Sequence, residues 1–443
     1  MGARAALGLM VALAVMAAGP VVRADDPLTL EQAIALALLD NPSVEIAGLD
    51  VDKAAQDIET AQADYFPQLK ANLGAVRNFV EQDYTFEQGA FGTFPATGPI
   101  PADTTEISSS QGWSKSVGLS VVQSMTGIYQ VMLEVEKLSL QERIYAETLR
   151  GELQDTAKSV KQTYYQILAS ESGLANTQSS IDFYTALTKQ LGDEVEQQTA
   201  LEYELLDAQS KLVQAEQQAL SQRNDIASQK EQLNNLMGRP TDQPFEVVGP
   251  LVAPPVDIGA GDALELALAQ RPDLREAELR VLYAEKNVAI TEYGYVPDVD
   301  LLLDYSHTNS DLIPDESLYV GVMLSWEFYD WGQRSSEIAS GKIDVHQARI
   351  DVEKTRADIV AQVNSSLRDL EDAVAAVEVA RVAQAAGAEK LRVTQNRYNE
   401  NVALLSDLLD AESDLSEANN DYVDAVLDVL NAQAQLAQAM GEQ

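Results

Sequence analysis

The chain has 443 residues, of which 70 are Asp or Glu and 30 are Lys or Arg, for a formal net charge of -40; it has no Cys, two His and three Trp. These counts exclude a disulfide framework, a thiolate metal site, a cysteine nucleophile and the electrostatic footprint of a nucleic-acid binder. With 23 % charged and 46 % hydrophobic residues, the sequence is neither a disordered acidic segment nor a bundle of membrane helices.

Arg4, the apolar run Ala5 to Ala18, the break at Gly19-Pro20 and the small residues around Val22-Arg23-Ala24 predict a secretory signal peptide over residues 1–24, with a mature chain from Asp25. The apolar run is about 14 residues, short of the ~20 that a membrane-spanning helix needs. The absence of Cys leaves no cysteine to carry a lipid anchor.

Thr29 with Gln32 fits a capping box opening a helix, and Asn41-Pro42 fits an N-cap followed by a first-turn proline opening the next. After Tyr65-Phe66-Pro67 the pattern changes to period two. Leu69, Ala71, Leu73 and Ala75 alternate with Lys70, Asn72, Gly74 and Val76, which predicts a strand over about 66–80. A long loop is expected around Glu81 to Gln111, and Val117, Leu119 and Val121 against Ser116, Gly118 and Ser120 predict a strand over about 113–125. A long helix pair follows, with Leu205, Leu212, Ala219, Ile226 and Leu233 seven apart and Gly238 as its C-terminal cap. Residues 239–261 carry Pro240, Pro244, Pro250, Pro254 and Pro255 and predict a non-helical linker.

The plan then recurs. AIALALLDNPSV from Ala33 matches ALELALAQRPDL from Ala263, and ALEYELLDAQSKL from Ala200 matches ALLSDLLDAESDL from Ala403, so residues 25–238 and 262–443 are expected to be two structural repeats. In the second, Asp262 with Glu265 suggests a capping box, and strands are expected over about 297–308 and 316–328. Gln333 to Asn399 has no proline, and as one helix would run about 100 Å. Val360, Val363, Leu367, Leu370, Val374 and Val377 predict its seam; Leu408, Leu415, Tyr422, Val429 and Leu436 predict that of the returning helix, capped by Gly441.

Period two with one apolar face is either a half-buried strand or a barrel strand in a membrane, and all three tryptophans, Trp113, Trp326 and Trp331, lie in or beside these segments. Four strands cannot close a barrel, so a membrane reading requires oligomerisation: two copies would give eight strands, three would give twelve.

With LTLEQAIALALLDNP from Leu28, RPDL from Arg271, WEFYDWG from Trp326 and RYNENVALLSDLLDAE from Arg397, the chain resembles the TolC-like outer membrane efflux proteins over essentially its whole mature length. The resemblance implies an α+β, internally duplicated fold in which four antiparallel strands per protomer join a trimeric twelve-stranded outer-membrane β-barrel, continuous with a long α-helical coiled-coil barrel. It implies a homotrimer embedded in outer membrane lipid and reaching into the periplasm. Its partners would be a periplasmic adaptor and an inner-membrane transporter, either a pump or a type I secretion machine. The function implied is a passive exit route; a periplasmic coiled-coil adaptor or scaffold is the alternative reading.

Residue by residue, Asp407 and Asp410 match the aspartates that line the closed periplasmic constriction in the family, and three copies would form a ring of carboxylates that attracts cations. The other reading is a solvated first helical turn, where acidic residues suit the helix dipole. Glu204 and Asp207 are the first-repeat counterparts. Asn401, Val402 and Ala403, with Thr199 and Ala200, are expected at the helix-hairpin tips; Asn401 stands where the family usually has glycine, and Ala403 where the family's namesake has the basic residue of a latch. His307 and His346 have no second ligand at metal spacing, and no nucleophile, phosphate or dinucleotide motif is present, so neither an enzyme nor a cofactor is expected.

Overall fold

The computed structural model describes residues 27–80, 82–109, 112–249, 251–252, 258–309 and 315–442. The expected signal peptide, Pro250, Pro254 and Pro255, and the loop ends Glu81 and Gln111 lie outside the described residues. The chain forms two compact units, one of residues up to 51 with 145–277 and 351 onward, the other of 52–144 with 278–350.

The described elements run α1 (Leu30–Asp40), α2 (Pro42–Ala63), β1 (Gln68–Asn78), β2 (Gln82–Phe86), β3 (Thr93–Phe94), β4 (Gly98–Pro99), β5 (Thr105–Ser109), β6 (Gly112–Ser124), α3 (Gly127–Glu196) and α4 (Glu202–Leu236). They continue with α5 (Ala260–Gln270), α6 (Pro272–Tyr293), β7 (Asp298–Thr308), β8 (Glu316–Ser325), α7 (Gln333–Asn399) and α8 (Leu405–Met440). At 70 and 67 residues, α3 and α7 are each roughly 100 Å long.

Local chemistry sets the helix ends. Thr29 Oγ1 accepts from the Gln32 N–H at 3.3 Å while Gln32 Oε1 accepts from the Thr29 N–H at 3.0 Å, a reciprocal cap on α1. Asn41 is 6 % exposed; its Oδ1 accepts from the Ser43 N–H at 2.7 Å, opening α2, and its Nδ2 donates to Leu236 O at 2.8 Å. The expected box at Asp262 is not formed. Gly259 is the N-cap of α5, three residues earlier, which leaves Asp262 in the first turn where its charge suits the dipole.

In the first unit, α1 packs on α3 and α4: Ala33 and Ala37 meet Val160, Tyr164, Ile167, Leu233 and Met237. The described linker residues 239–249, 251–252 and 258–259 are non-helical, as expected, whereas Ala260 and Gly261, expected in the linker, already belong to α5; part of the linker serves as core. Phe245 and Val247 join this cluster, Leu28 bridges Val247 in parallel, and the buried Tyr164 Oη lies 2.7 Å from Leu28 O and 2.6 Å from Val248 O. A second cluster packs α5 on α7 and α8 in the same way, through Ala263, Ala267, Ile359, Val363, Leu370, Val429 and Leu436.

The α7 seam holds at the expected Val363, Leu367, Leu370 and Val377, with Val360 half-buried, but Val374 is 54 % exposed and the stripe also takes in Ile359, Ser366, Ala373 and Ala380. Ser366 and Ala380 are small enough to let helices approach, and a search for large apolar residues passes over them. The α4 positions Ala219, Ile226 and Leu233 are buried, and so are Leu408, Val429 and Leu436 of α8, with Leu415 and Tyr422 half-buried.

The contact between α3 and α8 is polar along much of its length. Gln154 Nε2 donates to Gly441 O at 2.6 Å, Lys158 Nζ to Gln438 Oε1 at 2.8 Å, Asn176 Nδ2 to Asn420 Oδ1 at 3.0 Å, and Asn419 Nδ2 to Asn176 Oδ1 at 2.8 Å.

The second unit is built on an antiparallel sheet of order β1-β6-β7-β8. Its register aligns Leu69, Val121, Leu303 and Val320 across one face, with Leu73, Val117, Leu119, Tyr305, Leu318, Val322 and Leu324 beside them. The opposite face carries Lys70, Asn72, Gly74, Ser116, Gly118, Ser120, Asp300, Asp304 and Gly321, interspersed with Val76, Val122, Leu302, Tyr319 and Met323. The apolar face is bare: Leu73 is 81 % exposed and Val320 71 %. The last strand stops at Ser325, short of the expected 328, and beyond it Trp326 with Phe328 and Tyr329 with Trp331 form two exposed aromatic pairs. The expected long loop contains structure of its own, the ribbons β2–β5 and β3–β4.

Both returning helices end in glycine at positive φ, Gly238 at +66° and Gly441 at +83°. A Cβ on Gly238 would overlap the Asp40 carbonyl oxygen. Gly238→Ala is expected to destabilise the first unit by roughly 1–3 kcal/mol or more, the cost of a left-handed non-glycine residue plus a clash. Gly48→Ala, in open space within α2, is expected to be neutral or stabilising. Thermal unfolding followed by helical circular dichroism checks both.

Candidate functional site

The candidate residues lie at two helix-helix turns of the first unit. Between α3 and α4, Glu194 O accepts from the Thr199 N–H at 2.9 Å and the Ala200 N–H at 3.4 Å; between α7 and α8, Arg397 O accepts from the Val402 N–H at 2.8 Å and the Ala403 N–H at 3.2 Å. Each turn needs one left-handed residue, supplied by Gln198 (φ 64°) and Asn401 (φ 58°). Asn tolerates this conformation better than other non-glycine residues; nothing in the sequence marks Gln198.

Glu204 and Asp407 have the same local role. Glu204 Oε2 accepts from the Leu201 N–H at 3.0 Å, and Asp407 Oδ2 from the Leu404 N–H at 3.1 Å, each satisfying an orphan donor at a helix start. Asp207, Asp407 and Asp410 are exposed, and Glu204 is half-buried. One apolar cluster brings both turns together: Tyr184, Leu187 and Leu191 of α3, Ala208 of α4, and Leu405, Leu408 and Leu409 of α8, with Leu391 and Tyr398 of α7 against them. Burial raises the Tyr398 phenol above its ordinary value, and the charges of Glu194 and Glu204 raise it further.

Two features were not expected from sequence. Lys390 pairs with Asp414, joining α7 to α8 one turn above Asp410, and this hydrogen bond raises the lysine's pKa. Glu412 is 7 % exposed, and its Oε1 accepts from Ser180 Oγ at 2.9 Å. Burial raises the Glu412 carboxyl above its ordinary 4.5, while burial and then Glu412 push the neighbouring Tyr184 phenol to about 12. The available signal was the heptad: Leu405, Glu412, Asn419 and Val426 are seven apart, on the inner stripe of α8. Beside Ser180 and Tyr184, a cavity of about 270 Å³ is lined by Lys211, Glu417 and Asp421.

In the second unit, the polar face of the sheet ends at a cavity of about 520 Å³ lined by Asp64, Glu134, Asp298 and Asp300, with Gln68 and Ser124. Among the described residues no group of three or more His, Cys, Asp or Glu is placed to hold a metal ion, and no helix is long and apolar enough to cross a membrane.

A carboxyl whose folded pKa is raised contributes fully in acid and loses that contribution as pH rises through the ordinary carboxylate value toward the raised one. Glu412→Gln is therefore expected to match the parent in thermal stability at acid pH and to exceed it by a margin that grows toward neutral pH. Parallel melting curves across that range check the sign.

The family model for outer membrane efflux proteins matches residues 33–239 and 263–442. Toxin and drug export protein A of Aggregatibacter actinomycetemcomitans is 21 % identical over 416 residues, 91 % of this chain and 84 % of that protein. Outer membrane protein TolC of Escherichia coli (strain K12) is 22 % identical over 435 residues, 93 % of this chain and 82 % of TolC. The open state of the MtrE outer membrane channel of Neisseria gonorrhoeae superposes with a TM-score of 0.75 at 17 % identity, covering 96 % of this chain and 93 % of that one, a likeness of fold. A bare apolar sheet face with aromatic residues at its end and a family match over both halves lead to one conclusion: the chain belongs to the outer membrane efflux protein family and resides in the outer membrane.

Proposed function

We propose that three copies of this chain form a passive channel through which an inner-membrane pump or a type I secretion machine, coupled by a periplasmic adaptor, exports its cargo. The observation that carries this reading is the sheet. Its apolar face is exposed, and β1 and β8 are its edges, so both would leave backbone donors and acceptors unpaired in hydrocarbon. Pairing β8 of one copy with β1 of the next removes the edges, and three copies make twelve strands with room for a lumen. Strands of 10–13 residues suit a bilayer, where about 9–11 tilted residues span. The polar face, with Asp300, Asp304 and the acid-lined cavity at its helix end, would then line the lumen.

A second observation supports assembly. On α4, Leu206, Val213 and Leu220 are seven apart and 57, 61 and 59 % exposed, a coiled-coil stripe without a partner in the single chain. On α7, Val379 and Val382 are likewise exposed. These stripes would close the helical part between copies. Residues 25–238 and 262–443, read as repeats, would each supply one strand pair and one helix hairpin, with Asn401, Val402, Ala403, Thr199 and Ala200 at the hairpin tips. Threefold repetition of Asp407 and Asp410 would place six carboxylates in the narrow end, a ring that draws cations and repels anions. Relatives named for the export of toxins and drugs and for the efflux of solvents fit a conduit whose pump chooses the cargo.

Purified protein in planar bilayers is expected to conduct and to prefer cations; absence of conductance, with monomers in detergent, overturns the reading. Asp407→Asn with Asp410→Asn keeps an amide oxygen for the Leu404 N–H, so the helix start survives, and is expected to lower the cation-to-anion permeability ratio several-fold. Leu206→Glu with Val213→Glu is expected to leave monomers in detergent, as measured by light scattering.

A further inference from the structure

On the apolar face of the sheet, the charged residues of the described strands are confined to the hairpin end. They are Arg77 on β1, Lys115 on β6, and His307 and Glu316, which face each other on β7 and β8 with Nδ1 and Oε1 4.0 Å apart. Arg77 lies directly opposite Trp113, and Lys115 opposite Ala75, so Arg77 and Lys115 are diagonal neighbours, about 7–8 Å apart at the backbone and within mutual reach of long side chains. His307 is diagonal to Lys115 on the other side, through the Val117–His307 pair. All are exposed, and Arg77 rests its guanidinium 5.1 Å from the centre of the Phe79 ring.

Neither Arg77 nor Lys115 forms an ion pair among the described residues. In the sheet, the other Lys or Arg is Lys70, on the opposite face, and the described ribbon residues between β1 and β6 carry no basic residue. The helix end of the same sheet is different: its aromatic residues sit among Glu327, Asp330 and Asp298, and its Arg334 is paired with Glu327 at 3.2 Å. Two unpaired cations flanked by Trp113 and Phe79, on the bare apolar face of a chain with net charge -40, are thus placed where that face leaves the hydrocarbon. There a long basic side chain reaches the headgroup layer, and tryptophan anchors the boundary.

We infer that Arg77 and Lys115 form a binding site for the phosphate of a lipid headgroup in the membrane leaflet at the hairpin end. The site rests on the membrane reading above. Arg supplies a planar fork to phosphate oxygens and Lys a point charge, while acyl chains cover Leu73, Val117 and Tyr305 next to them.

The test reconstitutes the full chain in phosphatidylcholine vesicles doped with bis-phosphorylated lipid A or with its dephosphorylated form, extracts it in detergent, and counts retained lipid by native mass spectrometry. The parent is expected to retain the phosphorylated form preferentially, and inorganic phosphate at millimolar concentration not to displace it. Arg77→Gln with Lys115→Gln is expected to lower that preference about five-fold per residue. Arg77→Lys with Lys115→Arg should keep it, and Lys70→Gln, on the other face, should leave it unchanged. Equal retention of the two lipids, retention indifferent to the double substitution, or displacement by free phosphate overturns the site. So does loss of assembly in lipid-free detergent on Arg77→Gln alone, which would assign Arg77 to an ion pair with another copy. Failure to insert into any vesicle overturns the membrane reading itself, whereas insertion without phosphate preference overturns the lipid site alone.

Discussion

A β-sheet immersed in hydrocarbon must satisfy every backbone donor and acceptor from within, because no water is there to do it. The four strands here satisfy three interfaces and leave two edges, on β1 and β8. Much else follows from that deficit. Residues on the apolar face are mostly large and aliphatic although they touch little in the single chain, while the opposite face mixes small and polar residues such as Gly74, Ser116, Gly118, Ser120 and Asp304 with Val76, Val122, Leu302, Tyr319 and Met323. The helices of 70 and 67 residues have no window apolar enough to cross a bilayer.

The helical unit uses two kinds of seam. Within each hairpin, apolar heptads dominate: Val160, Ile167 and Leu233 in one, Ile359, Val363 and Val429 in the other. Between the hairpins, α3 meets α8 through Gln154, Lys158, Asn176, Ser180, Glu412 and Asn419. Burying apolar surface stabilises strongly but is non-directional, whereas an exchange of amide hydrogen bonds with water is nearly neutral in net free energy and strict in geometry. The hairpins are thus held firmly as units, and their mutual register is set by polar pairs that water can replace. At the turns the seam becomes apolar again, through Tyr184, Leu187, Leu405 and Leu408, so the end that bears Asp407 and Asp410 is drier than the middle.

Much of this was legible in the sequence where a local rule acts alone. Thr29 with Gln32, Asn41 before Pro42, and Gly238 and Gly441 after the last heptads each predicted an element end that depends on a few neighbouring backbone groups, and period two located both strand pairs and their faces. The misses arose where tertiary contact decides. Gly259 replaced Asp262 as cap because any residue with extended backbone can fill that position. The α7 seam ran through Ser366 and Ala380 because close helix approach rewards small side chains, which hydrophobicity does not detect. Glu412 went unnoticed because a carboxylate on a heptad stripe reads as solvated until its neighbours across the seam are known. The ribbons β2–β5 and β3–β4 have too few residues per strand to show a period.

Those ribbons occur in one half of the chain; the corresponding connection of the other half runs only from Asn309 to Asp315. Two similar hairpins per chain, repeated in the proposed three copies, would give the mouth a nearly sixfold rim. The ribbons would reduce this to threefold, with three acidic, aromatic projections alternating with the three shorter connections. In such an assembly, anything outside the cell that met this rim would encounter a surface of lower symmetry than the conduit beneath, and a binder matched to the shorter connections would have three sites rather than six.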